Sequence, residues 1–165
     1  GDARERVRRI MADNEGKTSL PGAMVIMNIA GSDRFVQLMR PFRFRSKVLW
    51  EKVCRKYCEI PAGFCFDLES IPWFRGHCPE AGAIHDYLCR IDSDPVVTKV
   101  MAARVYFEFL EYLYSLDDLR ARFGVIDRMG DWIKARAKYA AVVLAPGYFH
   151  KHYVNASWRE LAGVR

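Results

Sequence analysis

The chain has 165 residues, of which 51% are hydrophobic, 28% charged and 13% aromatic. This balance excludes an intrinsically disordered protein, and the length predicts one domain that buries about two-thirds of the unfolded surface. The formal net charge of +6 is compatible with an acidic partner, whether nucleic acid, anionic lipid or an acidic protein surface, but a moderate excess more often only confers solubility. No run of about 18 apolar residues is present, so no transmembrane segment is predicted.

The five cysteines are an odd number without the regular spacing of a disulfide framework. They predict free thiols in a reducing intracellular compartment. Cys54 and Cys58 are four residues apart, as are His85 and Cys89, but neither pair has the gap of a zinc knuckle. Buried cysteines acting as small apolar residues are therefore favoured over structural zinc.

The N-terminal third divides into an arm and two apolar stretches. Residues 1–22 are predicted to form a basic arm, with a short helix capped by Asp2 and ended by Gly16 and the residues after it. Residues 23–30, AMVIMNIA, predict a buried strand or an assembly contact.

The next stretch, FVQLMRPFRFR at 35–45, alternates in polarity. Phe42 and Phe44 fall on one face and Arg43 and Arg45 on the other. An amphipathic strand is favoured here over an RNA-binding surface, and Pro41 predicts a sheet edge or a bend. Residues 47–60 are ambiguous between helix and strand, and a strand from about Arg55 into the Pro61–Gly63 turn is favoured.

Three helices are predicted in the second half. The first begins at Pro79 and is stopped by the Asp-Ser-Asp-Pro run at 92–95, and the second spans about 95–116. The third is capped by Asp127 and ends near Leu144, before an aromatic and basic tail at 145–165. The predicted inward residues of the second and third helices are Val100, Ala103, Phe107, Leu110, Tyr114, Ile133, Ala137, Ala140 and Ala141.

Together these elements predict an α+β fold, with an N-terminal antiparallel hairpin or small sheet followed by about three packed helices. The expected organisation is an arm at 1–22, a single domain at 23–144 and a tail at 145–165.

Polar residues concentrate between Pro61 and Arg90. Asp67 and Ser70 lie in a predicted tight loop, and His85 and Asp86 are adjacent on the helix after it. Adjacent helical side chains diverge by about 100°, so this pair is not expected to form a hydrogen-bonded dyad. Asp67 and Asp86 are candidate metal ligands, His85 is the candidate base and Ser70 a further candidate. The alternative is that Asp67 and Ser70 only close a turn and that His85 is a satisfied core histidine.

The segments PAGFCFDLESIP, AGAIHDYLCR and TKVMAARVYFEFL, within about Phe35–Leu144, resemble an uncharacterised family common in tailed phages and prophages. That family's pattern is roughly P-A-G-F-x-T-D-x-A-S-I-P, A-x-x-H-D-x-L-Y and T-R-x-x-A-D-R-x-F. It is similar in turn, at motif level, to phospholipases of the A-two type. This second resemblance implies calcium held by Asp86 and the backbone of Gly63–Asp67, with His85 activating water.

The chain departs from that pattern where chemistry would depend on it. Ala103 stands where the family has an Asp, which in the phospholipases orients the histidine. Glu108 or Glu69 would then have to supply the orienting carboxylate. Other departures are Phe66 for Thr, Glu69 for a small residue, Cys89 for Tyr and Lys99 for Arg. These departures predict a degenerate pocket.

The favoured function is therefore a non-catalytic structural or accessory subunit of a larger assembly, without a cofactor and in contact with other protein subunits. The first alternative is an active calcium-dependent lipid-ester hydrolase, and the second is a basic accessory protein that binds nucleic acid. The expected location is a phage particle or host cytoplasm, or an organelle matrix after removal of an import sequence, because the chain begins Gly-Asp rather than with Met.

Overall fold

The computed structural model describes residues 16–32, 35–68, 78–90, 92–116 and 128–144. Small antiparallel sheets come first and helices follow, so the α+β prediction is confirmed. The elements in chain order are β1 Ile26–Asn28, β2 Phe35–Leu38, β3 Phe42–Phe44, α1 Lys47–Val53, β4 Cys58–Ile60, β5 Cys65–Asp67, α2 Pro79–Leu88, α3 Lys99–Ser115 and α4 Arg128–Leu144.

The described strands form two sheets, a three-stranded one in the order β1-β2-β5 and a two-stranded ribbon of β3 and β4. In the ribbon, Phe42 lies opposite Ile60 and Phe44 opposite Cys58, and all four are buried. Arg43 on the same strand is exposed, so the predicted alternation is confirmed. The chain bends at Met39 and Arg40, just before Pro41 and between the two sheets, as the proline predicted.

Strand β1 is not a buried strand, and that half of the prediction for residues 23–30 is wrong. All three of its residues are exposed, including Ile26 and Met27. Among the described residues it pairs with β2 alone, so it is an edge strand with neither face covered. An apolar composition cannot by itself distinguish an interior strand from an apolar edge.

Residues 47–60 contain both a helix and a strand. Helix α1 begins because the Ser46 side chain accepts a hydrogen bond from the Leu49 amide, and it ends at Cys54 in the left-handed conformation. The strand therefore starts at Cys58 rather than near Arg55. Upstream of the ribbon, Ser19 exchanges backbone hydrogen bonds with Arg45 at 3.1 and 2.9 Å, which fastens residues 16–22 to the end of β3.

Helix α3 buries a different face from the predicted one. Val100 is 55% exposed and Phe107 and Tyr114 are only partly buried, whereas Ala103 and Leu110 are buried as predicted. The helix contacts α1, α2 and α4, so it is covered on more than one side and no single stripe describes it. Its buried residues are Ala102, Ala103, Val105, Tyr106, Phe109, Leu110 and Leu113.

The inward face predicted for α4 is also wrong. Ile133, Ala137, Ala140 and Ala141 are exposed, while the buried side chains are Ala135 and Lys138. A lysine on the inward side reverses the polarity that the helical pattern predicts. The division into arm, domain and tail stays a prediction, and the arm helix, the Asp127 cap and the tail lie outside the described residues.

All five cysteines are free thiols, as predicted. Cys58, Cys78 and Cys89 are buried, Cys65 is partly buried and Cys54 is exposed. In the described part of the chain no helix has both the length and the apolar character needed to cross a membrane.

Candidate functional site: the His85 cluster

Helix α2 positions the candidate histidine at the edge of the core. Pro79 occupies its first turn, and Ala81, Ala83, Ile84 and Leu88 are fully buried. The helix packs against β5 on one side and α3 on another. His85 lies beside this apolar face, with its side chain 19% exposed.

Each polar atom of the His85 ring has a partner on its own helix. Nδ1 lies 3.4 Å from Oδ1 of Asp86, and Nε2 lies 3.4 Å from Sγ of Cys89. The Cys89 contact follows from helix geometry, because residues four apart share one face. From α3, the Tyr106 ring packs against the imidazole with centroids 5.2 Å apart and planes tilted by 54°. We call His85, Asp86, Cys89 and Tyr106 the His85 cluster.

The electrostatics of the cluster favour an imidazolium. Burial lowers the pKa of His85, but the hydrogen bonds to Asp86 and Cys89 and the charge of the Asp86 carboxylate outweigh it and raise that pKa to about 10. A histidine that stays protonated at neutral pH cannot accept a proton from water, which is what a general base must do.

Two expectations about the orienting acid are wrong. His85 and Asp86 were expected to diverge, yet their side chains come within the distance of a long hydrogen bond. Glu108 was a candidate substitute, but it accepts hydrogen bonds from Ser46 Oγ at 2.5 Å, from the Lys47 amide at 2.6 Å and from Thr18. The Glu108 carboxylate therefore binds the N-terminus of α1 and does not orient His85. The acid beside the imidazole is Asp86 itself.

The side chain at position 103 is a buried methyl group. Ala103 is completely buried on α3, one turn before Tyr106. The other candidate substitute, Glu69, and the candidate Ser70 lie outside the described residues.

Asp67 ends strand β5, opposite Phe35 of β2, and is partly buried. The backbone before it is engaged within the protein: the Gly63 carbonyl accepts from Gln37 Nε2 at 3.1 Å, and the Phe64 carbonyl accepts from the Leu38 amide at 2.9 Å. Gly63 itself has φ +84°, which a glycine adopts without strain.

The candidate metal ligands Asp67 and Asp86 lie on different elements, β5 and α2. Within the described residues no group of three or more His, Cys, Asp or Glu side chains could hold a metal ion. Asp86 faces the imidazole, whereas Asp67 ends a strand of the sheet. Calcium binding stays a prediction from the phospholipase resemblance.

Sequence reasoning missed Cys89 as a partner of His85, although the four-residue spacing was visible and was considered only for zinc. A carboxylate at one imidazole nitrogen and a thiol at the other is the order of groups in a cysteine nucleophile triad. Here, however, Cys89 is only 3% exposed, and reactive cysteines sit in partly exposed environments. The Cys89 thiol is therefore not accessible to a substrate in this conformation.

Fold and site together define a small α+β domain with a partly buried imidazole–carboxylate–thiol cluster on its second helix. A family model described as a protein of unknown function, DUF1353, matches residues 36–122, more than half of the chain. The chain belongs to this family. The matched region includes β2 to α3 and the whole His85 cluster. No curated protein and no solved structure matches the chain.

Proposed function

We propose that the protein is a non-catalytic structural or accessory subunit of a larger assembly, built on a scaffold whose ancestral pocket has become part of the core. The observation that carries the proposal is the closure of the His85 ring. Both nitrogens are occupied from within α2, Tyr106 packs against the imidazole, and Cys89 is buried. No ring atom is left to activate a water molecule in this arrangement.

Uncovered apolar surface supports the assembly role. Ile26 and Met27 on β1 and Met39 just after β2 are 36%, 47% and 48% exposed on one edge of a sheet. Exposed apolar edge strands pair with other chains unless they are protected, and an assembly protects them by occupying them. Five free thiols support a reducing compartment as the place of that assembly.

Purification of the full chain from its native source tests the proposal. We expect co-migration with one large complex, and no hydrolysis of phospholipid or simple ester substrates with or without calcium. His85→Ala should remain in the complex. Calcium-dependent hydrolysis that is lost in His85→Ala, or a chain that migrates alone, would contradict the proposal.

Asp86→Asn separates the two readings of the cluster. In a hydrolase this variant would lose turnover, whereas in a structural cluster it lowers only the pKa of His85 and the stability of the domain. A thermal unfolding curve and an esterase assay on the same preparation therefore decide between them.

A further inference from the structure

The positive charge of the chain is concentrated in one stretch. Residues 40–59, which run from the start of the ribbon through α1 into β4, contain seven lysines and arginines and two glutamates. They therefore hold +5 of the net +6 of the whole chain. A charge excess this localised is typical of an electrostatic footprint rather than of general solubility.

The ribbon presents its two faces to different environments. Phe42, Phe44, Cys58 and Ile60 fill the inner face, which fixes the alternate residues on the outer face. The outer residues include Arg43, with its side chain 68% exposed, and Tyr57, which is 46% exposed. We call the outer face of the ribbon together with α1 and the α1–β4 turn the basic face.

Arg45 and Tyr57 form a stacked pair within the basic face, which we call the platform. The Arg45 guanidinium lies over the Tyr57 ring, 4.1 Å from its centroid, and also hydrogen-bonds to the Tyr57 hydroxyl. Unpaired bases stack on aromatic rings and on guanidinium planes, whereas lipid headgroups have no planar group to stack.

Part of the positive charge is not neutralised by the protein. Arg43 pairs with Glu59, Lys47 with Glu51 at 3.9 Å, and Arg55 with Asp94. Arg40, Lys52 and Lys56 have no acidic partner among the described residues. These cations are available to phosphates, and the pairs are exposed enough to exchange partners.

We propose that the basic face binds single-stranded RNA, with phosphates on its lysines and arginines and an unpaired base stacked on Tyr57. Single-stranded RNA fits better than a duplex, because α1 is a seven-residue helix and the platform accepts a base only where that base is unstacked. The inference is independent of the proposed assembly role, which co-migration decides whether or not RNA binds.

Binding of a fluorescent 20-nucleotide single-stranded RNA to the purified full chain tests the inference, by anisotropy over a series of salt concentrations. The affinity should fall with salt, with a log–log slope of about −0.7 for each phosphate contacted. Lys52→Gln/Lys56→Gln should reduce the slope by about 1.4. The matched pair Arg104→Gln/Arg136→Gln, on α3 and α4, removes the same charge elsewhere and should leave the slope unchanged.

The Tyr57 platform has its own pair of variants. Tyr57→Ala should weaken binding about tenfold with an unchanged salt slope, because stacking is not an ionic contact. Tyr57→Phe keeps the ring and should bind as the parent does. Denaturant unfolding of every variant shows whether it is folded under the binding conditions.

Several results would overturn the inference: no salt-dependent binding, an equal loss in the α3/α4 control pair, or equal affinity of Tyr57→Ala and the parent. Equal affinity for a duplex RNA of the same length would also overturn it. So would binding to vesicles that contain phosphatidylserine with no binding to RNA, since that result would assign the basic face to a lipid surface.

Discussion

His85 is held by groups that lie close to it along the chain. The adjacent His and Asp remain, but on this helix the carboxylate turns to the imidazole and the Cys89 sulfur lies at its other nitrogen. From α3, Ala103 is fully buried, and the Tyr106 ring packs against the imidazole one turn later. The imidazolium is therefore held by its own helix rather than by the neighbouring one.

This arrangement makes stability depend on pH in a definite direction. The pKa of His85 is raised from its ordinary value to about 10, so the folded state binds the proton more tightly than the unfolded state does. The stabilisation is complete below the ordinary histidine pKa of about 6.5 and is lost as pH rises through about 10. We expect the difference in unfolding free energy between the parent and His85→Gln to shrink by at least about 1 kcal/mol from pH 6 to pH 10.

Urea titrations of both proteins at each pH measure this difference. Asp86→Asn serves as the control, because without the carboxylate the pKa of His85 should fall and the pH dependence should flatten. A difference that stays constant from pH 6 to pH 10 would mean that the pKa of His85 is not raised.

Whereas the proton on His85 stabilises the fold, the backbone conformation of Cys54 destabilises it. It ends α1 with φ 55°, a conformation that costs a residue with a Cβ about 1 kcal/mol or more and costs glycine almost nothing. Cys54→Gly should therefore raise the unfolding free energy by about 0.5–1 kcal/mol, while Cys54→Ala keeps the Cβ and should not. Thermal unfolding of the two variants checks this, and equal stabilities would refute it.

Among the elements, α1 depends most on a distant residue. Ser46 caps it locally, and Glu108 of α3 accepts from the Ser46 hydroxyl and from the amides of Lys47 and Val48. A carboxylate at a helix N-terminus satisfies amides that have no partner within the helix and also complements the helix dipole. Glu108 thus joins α1 and the residue 16–22 segment to α3.

Removal of the Glu108 carboxylate should weaken the attachment of α1 and residues 16–22 to α3. We expect Glu108→Ala to lower the unfolding free energy by about 2–3 kcal/mol, because it leaves several partly buried donors without an acceptor. Glu111→Ala removes an exposed carboxylate from the same helix and should change the unfolding free energy by less than about 0.5 kcal/mol. Chemical denaturation of both variants measures the contrast, and similar values would mean that Glu108 does not support α1.

The same elements show what a sequence can and cannot predict. The alternation of Phe42, Arg43 and Phe44 is set by the geometry of a single strand, so the sequence predicted it correctly. The start of α2 at Pro79 and its stop before residues 92–95 also depend only on neighbouring residues, so the sequence could predict them. The link between Ser46 and Glu108 spans 62 residues and leaves no periodic signal, so it was missed.

The predictions of the buried faces of α3 and α4 were wrong for a related reason. The buried face of a helix depends on the number and direction of its neighbours, and α3 has three of them. On α4, Ile133 and Ala137 are exposed whereas Lys138 is buried, which no amphipathic pattern predicts. In the site, the four-residue spacing of His85 and Cys89 was readable, but the turn of Asp86 toward the imidazole depends on rotamers and on the packing of Tyr106.

At the scale of the whole molecule, one core joins the two sheets. Its buried residues come from β2 to β5 and from all four described helices, and they form a single cluster. Phe44 of the ribbon meets Phe109 of α3 edge to face at 5.6 Å, and Phe64 meets Tyr87 of α2 in the same way at 5.7 Å. Because neither sheet can keep these contacts without the helices, we expect them to unfold together.

The free cysteines can test this cooperativity at separate places. Cys58 lies in the ribbon and Cys89 at the end of α2, both buried, and burial raises the pKa of Cys58 to about 12, so its native thiol reacts poorly. The protein is alkylated briefly at increasing urea concentrations, and mass spectrometry of its peptides measures the modified fraction of each cysteine. We expect Cys58 and Cys89 to become reactive at the same urea midpoint. Exposed Cys54 should react even without urea and so serves as the internal control. A lower midpoint for Cys58 would show that the ribbon, and the basic face with it, opens before the helices do.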